Sequence, residues 1–227
     1  MELAIDTSSN AAGLALSHEG RLLTNLNWQS VHNHTVELLP NILHLLEQVN
    51  AGPATLDTVV VAKGPGSFNG LRVGMSVAKG LAFALGIRLL GISTLEAEAY
   101  PFAYTGLPLR PLHRAGREEI ATALYQKVDN QWLCLETEHL TTLDALCRQT
   151  RQETLFCGEG LPEMTGQIQR DLGRLARTPD TTSPSRVVSL AMLGWEKLCS
   201  QEEDEPATLQ PLYLRPPHIT KPSQRRT

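Results

Sequence analysis

The sequence predicts an α/β protein of two lobes, each running β-β-β-α-β-α-β. Three observations carry that prediction. Near the start, ELAID (2–6), AGLALS (12–17) and RLLTNLNW (21–28) look like strands, the latter two joined by the turn-like HEG (18–20), which suggests an antiparallel meander. Next, HTVELLPNILHLLEQV (34–49) and NGLRVGMSVAKGLAFALG (69–86) have helical period and alternate with TVVVAKG (58–64) and RLLGIS (88–93), apolar runs that suit buried strands. After the short helix TLEAEAYPFA (94–103) and the proline-marked TGLPLRP (105–111), the same order returns. LRPLHR (109–114), EEIATALYQKV (118–128) and QWLCLETEHL (131–140) read as strands, followed by helix TTLDALCRQ (141–149), strand ETLFCG (153–158), helix LPEMTGQIQRDL (161–172) and strand GRLART (173–178). No sequence repeat accompanies this, so the duplication is one of topology.

Three antiparallel strands leading into two helix-strand crossovers, performed twice, form the architecture of the actin, sugar-kinase and heat-shock-chaperone ATPases. This is the two-lobed ASKHA (actin-like ATPase, ribonuclease-H-like) fold. The expected layout is a first lobe over 1–106, a smaller second lobe over 107–182, a closing helix over 183–200, and a strand-like segment with a mobile tail over 201–227. The closing helix SPSRVVSLAMLGWEKLCSQ is expected to be capped by Ser185 or Ser183 and to present Val188, Met192 and Trp195 as its apolar stripe.

Composition narrows the function classes. With 227 residues and 41% hydrophobic content, the chain is long enough to bury one large core or two compact ones. Twenty basic against twenty-four acidic residues give a net charge of -4, which argues against a free-standing nucleic-acid binder held by phosphate neutralisation. Any RNA contact is expected to be indirect. MELAID shows no basic leader and no apolar run reaches membrane-spanning length, so a cytoplasmic protein without a membrane partner is expected. Cys134, Cys147, Cys157 and Cys199 form no C-x-x-C pair.

Ligands of such folds lie near the carboxyl ends of strands and between lobes. The first strand ends in Asp6-Thr7-Ser8-Ser9, an acid and three hydroxyls, so Asp6, Thr7 and Ser8 are candidates for a phosphate or magnesium site. The same residues suit an Asx or Ser/Thr turn into the hairpin equally well. GPGSFNGLRVG (64–74) lacks the Lys-Ser or Lys-Thr of a Walker loop; its nearest helix-side lysine is Lys79. Packing explains it better. Gly70, Gly74 and Ala78 recur every four residues, as do Ser76, Gly80 and Ala84, giving the helix two stripes along which another backbone approaches closely. The preceding helix has two adjacent apolar stripes, Leu38, Ile42, Leu45 and Val49 beside Leu39, Leu43 and Leu46. One faces the sheet; the other is covered by a partner's helix or by the second helix of the same lobe. Pro40 interrupts the first turns of that helix.

LAIDTS, HTVELLPNILHLLE, AKGPGSFNGLRVGMSVAKGLAFALGIRLLGISTLEA and the closing PLYLR together resemble the TsaB (YeaZ) family of bacterial threonylcarbamoyladenosine-synthesis proteins. The resemblance covers residues 1–97 clearly, thins through the second lobe and returns at 212–215. It implies a non-catalytic scaffold that pairs with the related catalytic subunit TsaD and, with the ATPase TsaE, supports transfer of threonylcarbamoyl to the adenosine beside the tRNA anticodon. It also implies no cofactor of its own, with nucleotide only at or through the partner complex. The implied heterodimer is built from the two first-lobe helices, which places His34, Leu38, Leu39, Ile42, Leu45, Leu46, Val49, Leu71, Gly74, Met75, Ala78 and Leu81 at the interface. Alone, the same surface is expected to form a homodimer, since a two-fold contact needs only a self-complementary patch.

Departures from the family pattern sit at Asn69, where threonine is usual, and in HRAGREEI (113–120), where Arg114 and Gly116 flank Ala115 and an Asp-Ala-Arg segment is usual. An acid that an ATPase of this fold would use is thus replaced by a cation. The competing reading is an ATP-dependent phosphotransferase of the sugar-kinase type, favoured by Asp6 and opposed by Arg114. A metal-dependent peptidase is disfavoured: His32 and His34 are two apart, which suits a strand and not one side of a helix, and there is no G-x-S-x-G elbow.

Overall fold

The computed structural model describes residues 1–30, 33–179 and 185–215. The first lobe holds strands β1 (Glu2–Asp6), β2 (Ala11–His18), β3 (Arg21–Gln29), helix α1 (His34–Gln48), β4 (Thr58–Gly64), α2 (Phe68–Leu85), β5 (Arg88–Ser93) and the short α3 (Thr94–Ala99). The second holds β6 (Leu109–Arg114), β7 (Glu119–Val128), β8 (Gln131–Thr142), α4 (Leu143–Gln149), β9 (Thr154–Cys157), α5 (Leu161–Leu172) and β10 (Ala176–Arg177), and α6 (Arg186–Cys199) closes the chain. The sheets are ordered β3-β2-β1-β4-β5 and β10-β9-β6-β7-β8. Read from the third strand of each lobe, these are one topology twice. In each, the first strand pairs antiparallel with the second and parallel with the fourth.

Alternation along the strands sends side chains to two layers. Leu3, Ile5, Val59 and Val61 face α1 and α2 in one core. Ala4, Val60, Ala62 and Leu90 face α6 on the opposite side, with Val187, Leu190, Ala191 and Leu193. The second sheet buries Leu109, Ala121 and Tyr125 against α3, and Leu112, Ile120 and Phe156 beneath α4 and α5. So α6, last in sequence, is a layer of the first lobe. Among the described residues, no helix is long and apolar enough to cross a membrane.

Four expectations need correction. GRLART is mostly a 3-10 turn (Gly173–Leu175), leaving a two-residue β10. Met192 is exposed; α6 buries the face through Val187, Leu190, Ala191, Gly194 and Leu198, because Gly194 must lie against Val60. Ser185 is the N-cap by position, yet its hydroxyl reaches Asn27 Oδ1 (2.5 Å) and caps no amide; Ser183 lies outside the described residues. Residues 210–213 are not a strand: they cross the surface as a strap, with the Leu212 amide donating to the Lys63 carbonyl at 2.6 Å. The basic tail lies outside the described residues.

Candidate functional site

The carboxyl end of β1 delivers Asp6 to the floor of a cleft between the lobes. One oxygen, Oδ1, accepts from the Ser8 amide (2.9 Å) and hydroxyl (2.6 Å), which is an Asx turn. The other, Oδ2, accepts from Arg186 Nε at 2.8 Å. Arg186 is the first residue of α6, and its guanidinium also donates to Glu98 Oε1 (3.0 Å), Glu159 Oε2 (2.6 Å) and Ser9 Oγ (2.7 Å). One cation thus joins β1, α3, the β9–α5 loop and α6. A cavity of about 340 Å³ opens beside it, walled by Asp6, Asn27, Glu98 and Glu159.

Position alone disfavours a cation here, since a helix N-terminus carries partial positive charge. Arg186 stays because three carboxylates surround it, and its side chain is only 12% exposed. Burial alone would raise the Asp6 carboxyl, but the Arg186 charge and the Ser8 donors override that and hold it below the usual range. Glu159 is likewise raised by burial and brought lower by Arg186. His113 on β6 lies 4.0 Å from Glu98; burial would lower its pKa, and Glu98 more than reverses this.

Glu98, His113 and Glu159 bring three donor atoms within 4.8 Å of one another, the spacing of a metal site. Arg186 already bridges both carboxylates of that set. His34 does not join it, and His32 lies outside the described residues. Thr7 turns from the cleft and donates its hydroxyl to the Gly70 carbonyl at 2.8 Å. Sequence reading missed Arg186, Glu98 and Glu159. One signal was available for Glu98: a carboxylate within the apolar TLEAEA helix needs a buried partner.

GPGSFNGLRVG is a packing device. Ser67 caps α2, its hydroxyl accepting from the Gly70 amide at 3.3 Å, and its own amide donates to the Ser8 carbonyl at 2.6 Å. A methyl group on Gly66 would overlap the Ser8 carbonyl, one on Gly70 the Thr7 carbonyl, and one on Gly74 the Thr7 hydroxyl. The stripe Gly70, Gly74 and Ala78 is therefore the surface on which α2 lies against β1 and its loop. The stripe Ser76, Gly80 and Ala84 is exposed, and a methyl group on Gly80 would meet open space.

The same geometry corrects most of the expected interface. His34, Leu38, Ile42, Leu45, Leu46, Leu71, Gly74, Met75 and Ala78 are buried within this chain, because the stripe with coiled-coil spacing faces the sheet. Val49 and Leu81 are half-buried, and Leu39 alone of the set is exposed. The outward apolar face is made instead by Val36, Leu39 (48% exposed) and Leu43 (50%) on α1, with Phe83 (89%) beside Gly80 on α2. Substitution at Leu45 or Met75 would damage the core and leave docking untested.

The closing PLYLR also gains a role. Leu209 fills the space above Gly91 and Tyr213 packs against Phe68, the rings tilted by 36° with centroids 4.9 Å apart. Leu214 enters the second lobe's core, and Arg215 pairs with Glu119 over Gly116. The strap ties the first lobe, through Lys63 and Phe68, to the second, through Leu214 and Arg215. Arg114, the cation expected to disfavour phosphoryl transfer, pairs with Glu163 and stands apart from the Arg186 cluster.

The family profile described as "TsaD: tRNA N6-adenosine threonylcarbamoyltransferase" matches residues 29–169. The chain is similar to the tRNA threonylcarbamoyladenosine biosynthesis protein TsaB of Bacillus subtilis (strain 168), with 37% identity over 218 residues, 94% of this chain and 93% of that protein. Among solved structures it resembles YeaZ from Pseudomonas aeruginosa, with a TM-score of 0.74, 25% identity, and coverage of 94% of this chain and 99% of that one. The activator of the 2-hydroxyisocaproyl-CoA dehydratase from Clostridium difficile, solved with bound ADPNP, matches at a TM-score of 0.50 and 10% identity over 88% of this chain and 95% of that one. That last likeness is one of fold alone.

Proposed function

Because the chain belongs to the TsaB (YeaZ) family, within the wider TsaD-type group, we propose that it is the non-catalytic scaffold subunit of the tRNA threonylcarbamoyl-transfer machinery. It pairs with a TsaD-type catalytic subunit, acts in the cytoplasm together with a TsaE-type ATPase, and meets tRNA only through the complex. The observation that carries the reading is the exposure of Leu39 and Leu43 on α1 and, on α2, of Phe83 beside the open Ser76, Gly80 and Ala84 stripe. Exposed large apolar groups flanking a smooth small-residue track suit close approach by another helix pair. Alone, the face closes on a second copy as a homodimer.

The engagement of Asp6 by groups of this chain supports the non-catalytic half of the reading. Asp6, the acid a sugar-kinase-type phosphotransferase would use, accepts from Ser8 on one oxygen and from Arg186 on the other. On this reading nucleotide binds only at or through the partner complex. Purified chain is expected to leave ATP intact; turnover by the chain alone would revive the phosphotransferase reading.

Leu39→Glu with Leu43→Glu tests the docking face. Both side chains are half in solvent, so the variant should fold, while two charges at the centre of an interface reduce affinity by about 100-fold or more. Light-scattering chromatography with the TsaD-type subunit should show a one-to-one peak for the natural chain and separate peaks for the variant. An undiminished complex would remove this face from the proposal.

A further inference from the structure

The outward side of α2 carries positive charge and no negative charge. Arg72, Ser76, Lys79, Gly80 and Phe83 follow one another at intervals of three and four residues or stand side by side, the spacing of one helix face. Lys79 is half-buried and the others are exposed, Phe83 to 89%. FNGLRVGMSVAKGLAFAL contains no acid, and neither of its cations makes an ion pair among the described residues. Arg88, Arg110, Arg177 and Arg186, by contrast, each meet a carboxylate.

Arg72 lies over the Phe68 ring at 3.9 Å and donates to the Tyr213 hydroxyl at 3.2 Å. A ring and a hydroxyl hold the guanidinium in place and leave its charge uncancelled. Of the two acids on α1, Glu37 accepts from Trp28 Nε1 at 2.9 Å and Glu47 is exposed in the last turn; neither pairs with α2. A helix settling on the Ser76, Gly80 and Ala84 stripe therefore meets two cations and no acid of α2.

We propose that the partner helix laid along this stripe carries carboxylates opposite Arg72 and Lys79, and that these charges make the face select an acidic helix of the TsaD-type subunit over a second copy of this chain. The inference rests on the scaffold reading and deepens it. Arg72 and Lys79 are two turns apart, about 10 Å along the axis, so carboxylates at the same spacing on one partner helix can meet both. The small residues between them let the backbones close in, which thins the water between opposite charges and strengthens their attraction. The α2 helix of a second copy on the same stripe would instead bring cations against cations, and like charges across an interface suppress that pairing. The homodimer is thus the weaker occupant, displaced when the partner is present.

Arg72→Gln with Lys79→Gln tests this in the full chain, because the two associations should move in opposite directions. Affinity for the TsaD-type subunit is expected to fall about tenfold, mainly through a slower association rate that also loses its decline with added salt, while self-association in light-scattering chromatography strengthens. A folding defect would weaken both. Arg151→Gln with Arg174→Gln, exposed and without ion pairs among the described residues of the second lobe, changes the net charge equally and should alter neither association. A heterodimer whose affinity and salt dependence were unchanged by the α2 variant, or were changed equally by the second-lobe variant, would overturn the proposal. Absence of any complex with the natural chain would overturn the scaffold reading itself, and this inference with it.

Discussion

Replacing Arg186 by methionine is expected to lower the unfolding free energy at neutral pH by about 3–5 kcal/mol, the scale for removing one member of a buried ionic cluster. Methionine conserves much of the volume, so what is lost is the charge that compensates Asp6 and Glu98, both nearly inaccessible. The pH dependence distinguishes this from lost packing. Asp6 is held below its ordinary 3.8 in the fold, so its stabilising contribution is complete above about 3.8 and disappears as pH falls through the lower folded value. Natural chain and variant should therefore converge in stability below that range, as the carboxylates protonate in both. His113 acts in the opposite direction: its folded pKa is raised above 6.5, so its contribution is complete below 6.5 and is lost as pH rises through the folded value. Urea unfolding across pH 3 to 8 reads both limbs. A difference between the two proteins that stayed constant over the acid limb would mean that Arg186 matters for its bulk and not for its charge.

Gly70→Ala should also destabilise, and Gly80→Ala should stabilise. At position 70 the new methyl would overlap the Thr7 carbonyl, which is backbone and cannot rotate away, so α2 must lift from β1; overpacking of this kind costs about 1–3 kcal/mol and sometimes more. The shift would also stretch the hydrogen bond from the Thr7 hydroxyl to the Gly70 carbonyl. At position 80 nothing lies within 4 Å of the added methyl, so the substitution contributes only helix propensity, about 1 kcal/mol in favour of folding. The proposed function adds a second expectation for Gly80→Ala: the more stable chain should bind the TsaD-type subunit more weakly, because the methyl occupies the track along which the partner's backbone would run. Denaturant midpoints and mixed-sample chromatography measure the two effects separately. If Gly80→Ala bound the partner as well as the natural chain does, the Ser76, Gly80 and Ala84 stripe would have no part in docking.

Local pattern was enough for most elements. TVVVAKG and RLLGIS are continuous apolar runs because both faces of the first sheet are covered, and HTVELLPNILHLLEQV keeps its helical period through Pro40, whose missing N–H would otherwise bond to residue 36. Boundaries failed where context outweighed period. Thr141 and Thr142 extend β8 in register with Ile120 and Glu119, so α4 starts later than TTLDALCRQ suggests. GRLART has too little chain left after its turn to form more than two residues of strand.

Sequence by itself determined the twofold β-β-β-α-β-α-β order, the helix opened by GPGSFNGLRVG, and the presence of two adjacent apolar stripes on α1. These depend on periodicity and turn chemistry, which act over a few residues. Tertiary structure alone decided which stripe faces outward, because Leu38, Ile42 and Leu45 share the period of Leu39 and Leu43 and only the position of the sheet distinguishes them. It also decided the charge balance of the cleft. Asp6 and Arg186 lie at opposite ends of the chain and meet only because α6 returns across the first sheet, so the cation that pairs with Asp6 leaves no trace in any local stretch of sequence.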